Sequence, residues 1–314
     1  MNRRLLNILF VFVVFFLKAG VSFSAATVNV SVEPLALIVR EICQDECEVL
    51  ALVPRGASEH SWQPGPKDII RAKQAVASVA VGMGFDDSWY QKLNVMPKTV
   101  LKLGEKLSPM TWWSDDMSDL QDKKQHDKKT SKRHHEHEDH DEEHHDHAMV
   151  NDPHVWTDAG RMALASELVA SHLASLLPAG AAVFKERGKS LAARLTKLQV
   201  DTDLRRKSWR TRPVVMFHDT AGYFARRFNL PVLSVAAGAT GHDLSAKMIA
   251  GVARKFKNAS VAAVMVEKND GAAKNLAKEL KTQVKVVDFA AGQSYKTWDD
   301  WYLHLVASWE SVLQ

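Results

Sequence analysis

The densest group of possible metal ligands in this sequence is a histidine-rich tract between positions 126 and 147. Eight histidines lie in it, seven of them within fourteen residues, and acids fill the positions between those seven. The seven are His134, His135, His137, His140, His144, His145 and His147. Neutral imidazole is a common ligand of late transition metals, and carboxylates supplement it. The tract has almost no apolar side chains, so it predicts a metal-gathering loop, disordered without metal, rather than part of a core.

This loop is expected to span residues 119 to 149. A segment that collects several zinc ions weakly would raise the metal concentration near an ordered site. A solvated spacer of incidental composition is the alternative interpretation. His154 follows the loop almost at once and is the first histidine after it that a folded segment would hold.

Strands alternate with helices along most of the remaining chain, which predicts βαβ units and parallel sheets. A chain of 314 residues is also longer than a single hydrophobic core usually supports. We therefore expect an α/β fold with two lobes joined by a long helix. The predicted divisions are a signal peptide at 1–26, an N-terminal lobe at 27–178, a connecting helix at 179–210 and a C-terminal lobe at 211–314.

The first segment has the pattern of an export signal. Arg3 and Arg4 precede an apolar run of thirteen residues, Leu5 to Leu17, interrupted only by Asn7, and small residues lead to a cleavage site after Ala26. A membrane anchor is the alternative, but a spanning helix needs about 20 apolar residues. Cleavage would remove three basic residues and no acid, lowering the formal charge from +4 to +1. The mature chain therefore has no nucleic-acid-binding signature.

Cysteine occurs only at positions 43 and 47. An even count in an exported chain favours a disulfide between Cys43 and Cys47. A metal-binding pair is the alternative, but the spacing and the lack of a second pair do not match zinc modules.

Three further candidate ligands follow predicted strands: His60, His218 and Asp288. Ligands of open parallel sheets bind beyond the carboxyl ends of the strands. His60 and His154 belong to the first lobe, and His218 and Asp288 to the second, so the four can meet only in the cleft between the lobes. Three imidazoles and one carboxylate make a plausible four-coordinate zinc site.

Four motifs carry a resemblance across essentially the whole mature chain. They are GASEHSWQP at 56–64, GMGFDDSW at 82–89, DPHVWTD at 152–158, and FHD at 217–219 with GYF at 222–224. In this order they resemble the periplasmic zinc-binding proteins of bacterial zinc ABC importers. The resemblance implies a two-lobed clamp with a rigid connecting helix, in which His60, His154 and His218 bind Zn²⁺. It also implies a monomer in the periplasm that delivers zinc to an inner-membrane permease with its ATPase, with periplasmic zinc chaperones as a further class of partner.

The related manganese branch usually has a carboxylate at the position of His218, so histidine there favours zinc, which suits nitrogen ligands. The fourth ligand stays open between Asp288, Glu59 and water. The segment from Val287 to Gly292 departs from the Asp-Pro-Leu-Gly of that family, which leaves the geometry of Asp288 open. Glu267 is expected to face the cleft without binding the metal directly.

Other functions remain as alternatives. A manganese- or iron-binding protein of the same fold, or an adhesin or metal buffer, would share these residues. An exported zinc hydrolase would need an open metal position and a general base, and neither a His-Glu-x-x-His nor a Gly-x-Ser-x-Gly motif occurs. We therefore expect a binding protein rather than an enzyme.

Overall fold

A computed structural model describes residues 26–111, 151–235, 246–268 and 271–314. The predicted signal peptide, up to residue 25, lies outside the described residues. The predicted loop at 119–149, with its seven clustered histidines, lies outside them as well.

Eight strands of the described chain form two parallel sheets of four strands each. They are β1 (Ala26–Val30), β2 (Cys47–Ala51), β3 (Ala75–Ala80), β4 (Val100–Lys102), β5 (Val214–Met216), β6 (Val232–Ser234), β7 (Ala263–Val266) and β8 (Gln283–Val286). The strand orders, β2-β1-β3-β4 and β6-β5-β7-β8, have the same form. The α/β prediction is confirmed, and each sheet directs the carboxyl ends of its strands to one edge.

Helices connect the strands and the sheets. In the described residues they are α1 (Glu33–Cys43), α2 (Pro66–Ala72), α3 (Asp87–Leu93), α4 (Ala159–Leu176), α5 (Ala181–Arg206), α6 (Gly222–Arg227), α7 (Ala246–Phe256), α8 (Gly271–Glu279) and α9 (Trp298–Leu313). None of the described helices combines the length and the apolar composition needed to cross a bilayer.

The connecting helix α5 is shorter than the predicted span of 179–210. A 3₁₀ turn at Pro178–Gly180 precedes it, and its 26 residues end at Arg206, which gives a length of about 39 Å. It packs along α4. A β-carbon at Gly188 would lie 2.3 Å from the β-carbon of Ala170 and 2.9 Å from the carbonyl oxygen of Ser166. Glycine therefore allows the two helices to pack this closely.

One buried cluster runs through both halves of the molecule and includes Val28 of the first sheet, Leu195 of α5 and Met216 of the second sheet. Ion pairs join the halves at the surface. The Arg194 guanidinium of α5 bonds to Glu41 of α1 and donates to Asp299 Oδ2 of α9 at 2.9 Å. The two sheets are therefore held together by a shared core and by charged contacts.

Cys43 and Cys47 form a disulfide that closes a short turn between α1 and β2. The turn lies at the amino end of β2, at the opposite edge of the sheet from the cleft.

We expect a variant with Cys43→Ser and Cys47→Ser to have a free energy of unfolding lower by about 2 kcal/mol, from the loop-closure entropy of so short a loop. Urea unfolding of the metal-free protein measures this change. Zinc affinity of the folded variant should stay at the wild-type value, and a loss of affinity would contradict the assignment of the disulfide to stability alone.

Candidate metal centre

The three histidines singled out in the sequence meet at the carboxyl edges of the two sheets. His60 lies in the loop after β2, and His218 lies two residues after β5. His154 immediately precedes a 3₁₀ turn at Val155–Thr157 that leads into α4. Asp158 fixes this junction because its carboxylate accepts a hydrogen bond from the backbone N–H of Arg161 at 2.8 Å.

One nitrogen from each imidazole faces a common point. His60 Nε2 lies 3.2 Å from His154 Nε2 and 2.7 Å from His218 Nε2, and one ligand atom from each residue lies within 4.8 Å of the others. Tetrahedral bonding to Zn²⁺ at about 2.0–2.1 Å places ligand atoms about 3.3 Å apart. The donor set suits zinc, and the two distances from His60 Nε2 lie near this spacing.

His154 is fully buried, and this burial lowers its pKa to about 3. Its imidazole is therefore neutral at physiological pH. Its Nδ1 lies 2.7 Å from Asp152 Oδ1, which also accepts the backbone N–H of His154 at 2.9 Å. An ionised Asp152 holds the proton on Nδ1 and leaves the Nε2 lone pair free for a metal. Burial raises the pKa of Asp152 to about 7, and a cation bound at Nε2 would favour the ionised carboxylate.

Aromatic rings hold the imidazoles from the side. Phe85 contacts His60 edge-on with 5.5 Å between ring centroids, and Trp156 contacts His154 at 5.1 Å. Phe85 is carried by a turn that Asp86 fixes, because its carboxylate accepts the backbone N–H groups of Val81 at 2.7 Å and Gly82 at 2.8 Å. The apolar walls strengthen electrostatic attraction to a bound cation.

Glu59 lies directly beside the three histidines. Its Oε1 is 3.9 Å from His60 Nε2 and 4.0 Å from His154 Nε2. The side chain is 3% exposed, and Oε1 has no hydrogen-bond partner among the described residues. Burial raises the pKa of Glu59. A buried carboxylate oxygen without a partner has the chemistry of a further metal ligand.

Asp288 lines the same cleft, but its carboxylate is engaged by the loop that follows. Oδ1 accepts the backbone N–H of Gly292 at 2.7 Å, and Oδ2 accepts the backbone N–H of Gln293 at 3.0 Å and the hydroxyl of Tyr295 at 3.1 Å. Neither Asp288 nor Glu59 is among the residues whose donor atoms converge most closely in the described part of the chain; those are the three histidines. Its hydrogen bonds shape a turn in the second half of the molecule.

The cleft beyond the histidines forms a cavity of about 530 Å³. Glu59, Asp288 and Glu267 all line it. Desolvation in the cleft, with a smaller contribution from the charges of Glu59 and Asp288, raises the pKa of Glu267 to about 8. A cation that enters the cleft would favour the ionised forms of these acids.

The comparison with protein families shows which family the chain belongs to. Residues 28–311 match the model of the ZnuA family, described as zinc-uptake complex component A, periplasmic. The chain belongs to the ZnuA family. The resemblance to periplasmic zinc-binding proteins, predicted from the four motifs, is thereby confirmed.

Individual relatives of the ZnuA family agree. The zinc-binding protein AdcA of Streptococcus pyogenes is 25% identical over 281 residues, which is 84% of this chain and 52% of that protein. The chain thus spans about half the length of AdcA. The zinc uptake protein ZnuA of Bacillus subtilis is 24% identical over 268 residues, 85% of this chain and 79% of that protein. A crystal structure of ZnuA has the same fold, with a TM-score of 0.72, 21% identity, and coverage of 92% of this chain and 98% of that one.

Asp152 contacts the candidate ligand His154, and sequence reasoning did not single it out. The signal was present in the sequence as a carboxylate two residues before a candidate ligand, separated from it by Pro153. Metal-binding histidines usually donate their second N–H to such a group. Spacing alone does not show which nearby acid is within reach, and the structure shows that Asp152 is.

We expect Asp152→Asn to weaken zinc binding by about tenfold, the lower end of the range for such partners, because the amide oxygen still accepts from Nδ1 but carries no charge. Competition with a zinc chelator measures the change. Asp158→Asn is the matched control, because it removes a carboxylate charge in the same segment, keeps an oxygen that can cap α4 and does not touch an imidazole. Equal affinities of the two variants would contradict the orienting role of Asp152.

Proposed function

We propose that this chain captures Zn²⁺ in the periplasm with His60, His154 and His218 and delivers it to an inner-membrane ABC permease and its ATPase. The observation that carries the proposal is the approach of three imidazole nitrogens from both halves of the molecule to one point. Membership of a family of zinc-uptake components supports the zinc cargo and the class of partner.

The division into lobes at 27–178 and 211–314, joined by residues 179–210, is part of this proposal. Since the ligands come from both sides of the cleft, any separation of the lobes would pull His218 away from His60 and His154. Neutral imidazoles bind the ion without a permanent charge on the ligand, and protons compete for the same nitrogens. Docking to the permease would release zinc by moving the lobes apart.

We further propose that Glu59, rather than Asp288, supplies the fourth ligand. Glu59 Oε1 is buried beside two of the imidazoles without a partner in the described chain. Asp288 would have to give up three hydrogen bonds to turn toward a metal. A carboxylate adds charge to the ligand set and so increases the attraction for a divalent ion.

The two carboxylates can be distinguished by isosteric substitution. We expect Glu59→Gln to weaken zinc binding by at least about tenfold. That is the smallest typical effect of losing a hydrogen-bond partner of a metal ligand, and losing a ligand should cost more. Asp288→Asn should bind zinc within about twofold of wild type, because its carboxylate serves the loop. Isothermal titration in competition with a chelator gives both affinities. The reverse order of the two effects would assign the fourth position to Asp288, and no effect in either variant would assign it to water.

The histidine-rich loop is proposed as an auxiliary segment that collects zinc weakly and feeds the cleft. Its seven clustered histidines offer many imidazoles between carboxylates, which suits several weakly held ions more than one tight site. A high local concentration of ions would speed capture without raising the affinity of the cleft itself.

Metal titration of three proteins tests the function: the mature chain, a deletion of residues 123–147, and His154→Ala. We expect one tightly held zinc ion in both the mature chain and the loop-deletion variant. Additional, weakly held zinc ions should bind to the mature chain but not to the deletion variant. His154→Ala should lose at least about 100-fold in affinity, since a ligand matters more than its orienting partner.

His172→Ala provides the control, because His172 lies on α4 and its Nε2 is 3.0 Å from the backbone oxygen of Thr99, away from the cleft. Loss of all tight binding on deletion of the loop would refute the cleft site. Tight binding of manganese in preference to zinc would move the protein to the manganese-binding branch.

A further inference from the structure

The hydroxyl of Tyr223 joins the second half of the molecule to the segment that carries His154. Tyr223 lies on α6, and its ring is fully buried. Its hydroxyl donates to the backbone oxygen of Asp152 at 2.9 Å and accepts the backbone N–H of Met110 at 3.0 Å. Burial raises the pKa of Tyr223 to about 12, so the hydroxyl keeps the proton that it donates.

The two backbone groups bound by this hydroxyl belong to a pair of adjacent segments. Asp152 donates its N–H to the backbone oxygen of Met110 at 2.8 Å, and Thr111 pairs with Asn151 in an antiparallel bridge. Tyr223 therefore holds both sides of this pairing, two residues before His154.

The aromatic ring of Tyr223 is fixed as well. The guanidinium carbon of Arg161 lies 4.6 Å from the ring centroid, a cation–π distance. Arg161 in turn donates to the backbone oxygen of Leu107 at 2.9 Å. The hydroxyl is thus presented to Asp152 by a ring with little freedom to rotate or tilt.

Gly222, the residue before Tyr223, determines where the Asp152 side chain can lie. A β-carbon at Gly222 would lie 2.4 Å from Asp152 Oδ2, so only glycine leaves room for the carboxylate where it stands. The other oxygen of the same carboxylate, Oδ1, is the one that lies 2.7 Å from His154 Nδ1. The backbone and the side chain of Asp152 are therefore both placed by α6.

We propose that Gly222 and Tyr223 are positioning residues for zinc: they hold Asp152, and through it orient the imidazole of His154. The inference rests on the proposed function and adds a connection between the two halves of the site. The six residues from His218 to Tyr223 contain one ligand and also the contacts that orient a ligand from the other half. A movement of α6 away from the first sheet would withdraw His218 and release Asp152 in the same step.

The test compares three variants of the full mature chain: Tyr223→Phe, Gly222→Ala and Tyr302→Phe. Tyr223→Phe keeps the ring and removes the hydroxyl, whereas Gly222→Ala keeps the hydroxyl and displaces the Asp152 carboxylate. Tyr302→Phe is the matched control, because this buried tyrosine of α9 bonds to Thr202 of α5 and not to the segment of His154. Zinc affinity is measured by chelator competition, and ligand geometry by the visible absorption of the Co²⁺-substituted protein.

We expect Tyr223→Phe and Gly222→Ala to bind zinc about tenfold more weakly and to shift the Co²⁺ absorption, with Tyr302→Phe unchanged in both measurements. Wild-type affinity and absorption in Tyr223→Phe would overturn the inference, as would equal weakening in Tyr302→Phe. If Tyr223→Phe does not fold, the same two readouts on Gly222→Ala decide the question. Absence of tight zinc binding in the unmodified chain would refute the proposed function instead, so the two failures are distinguishable.

Discussion

The close approach of three imidazole nitrogens, from His60, His154 and His218, is the constraint on which this structure depends. Each nitrogen would be better hydrated alone, so the protein must hold the rings against solvent and against one another. Burial keeps His154 neutral, and aromatic side chains support His154 and His60. The parallel sheets make this possible because each brings the carboxyl ends of its strands, and the loops after them, to the edge that faces the cleft.

The sequence contained most of the fold and part of the site. Alternation of apolar strands with helical segments was enough for the α/β class, because buried parallel strands have a distinctive apolar pattern. The rule that ligands follow strand ends brought His60 and His218 to the same region. Cys43 and Cys47, which the sequence paired by count and context, are bonded in the structure. The connecting helix is shorter than predicted at both ends, because the turn at Pro178–Gly180 is 3₁₀ and the α-helix ends at Arg206.

Contacts between distant segments were beyond the reach of pattern analysis. Asp288 and Glu59 are both carboxylates in loops that follow strands. Both oxygens of Asp288 accept backbone N–H groups, whereas Oε1 of Glu59 is buried without a hydrogen-bond partner among the described residues. That difference depends on the path of the loop after Asp288, which no local periodicity records. The approach of Tyr223 to Asp152 joins residues 71 positions apart, and it follows from the packing of the two sheets.

The continuous core and the ion pairs of Arg194 have a mechanical consequence. A body whose halves share buried side chains and are joined by a helix of about 39 Å behaves as a stiff lever rather than a loose hinge. Metal–nitrogen bonds of about 2.0–2.1 Å fail when a ligand moves by a fraction of its bond length. In the proposed release, a small rotation about the distant end of such a lever would be enough to separate the histidines at the cleft. The shared core and the long helix would thus make the molecule rigid and at the same time make the distances between the histidines sensitive to small rotations.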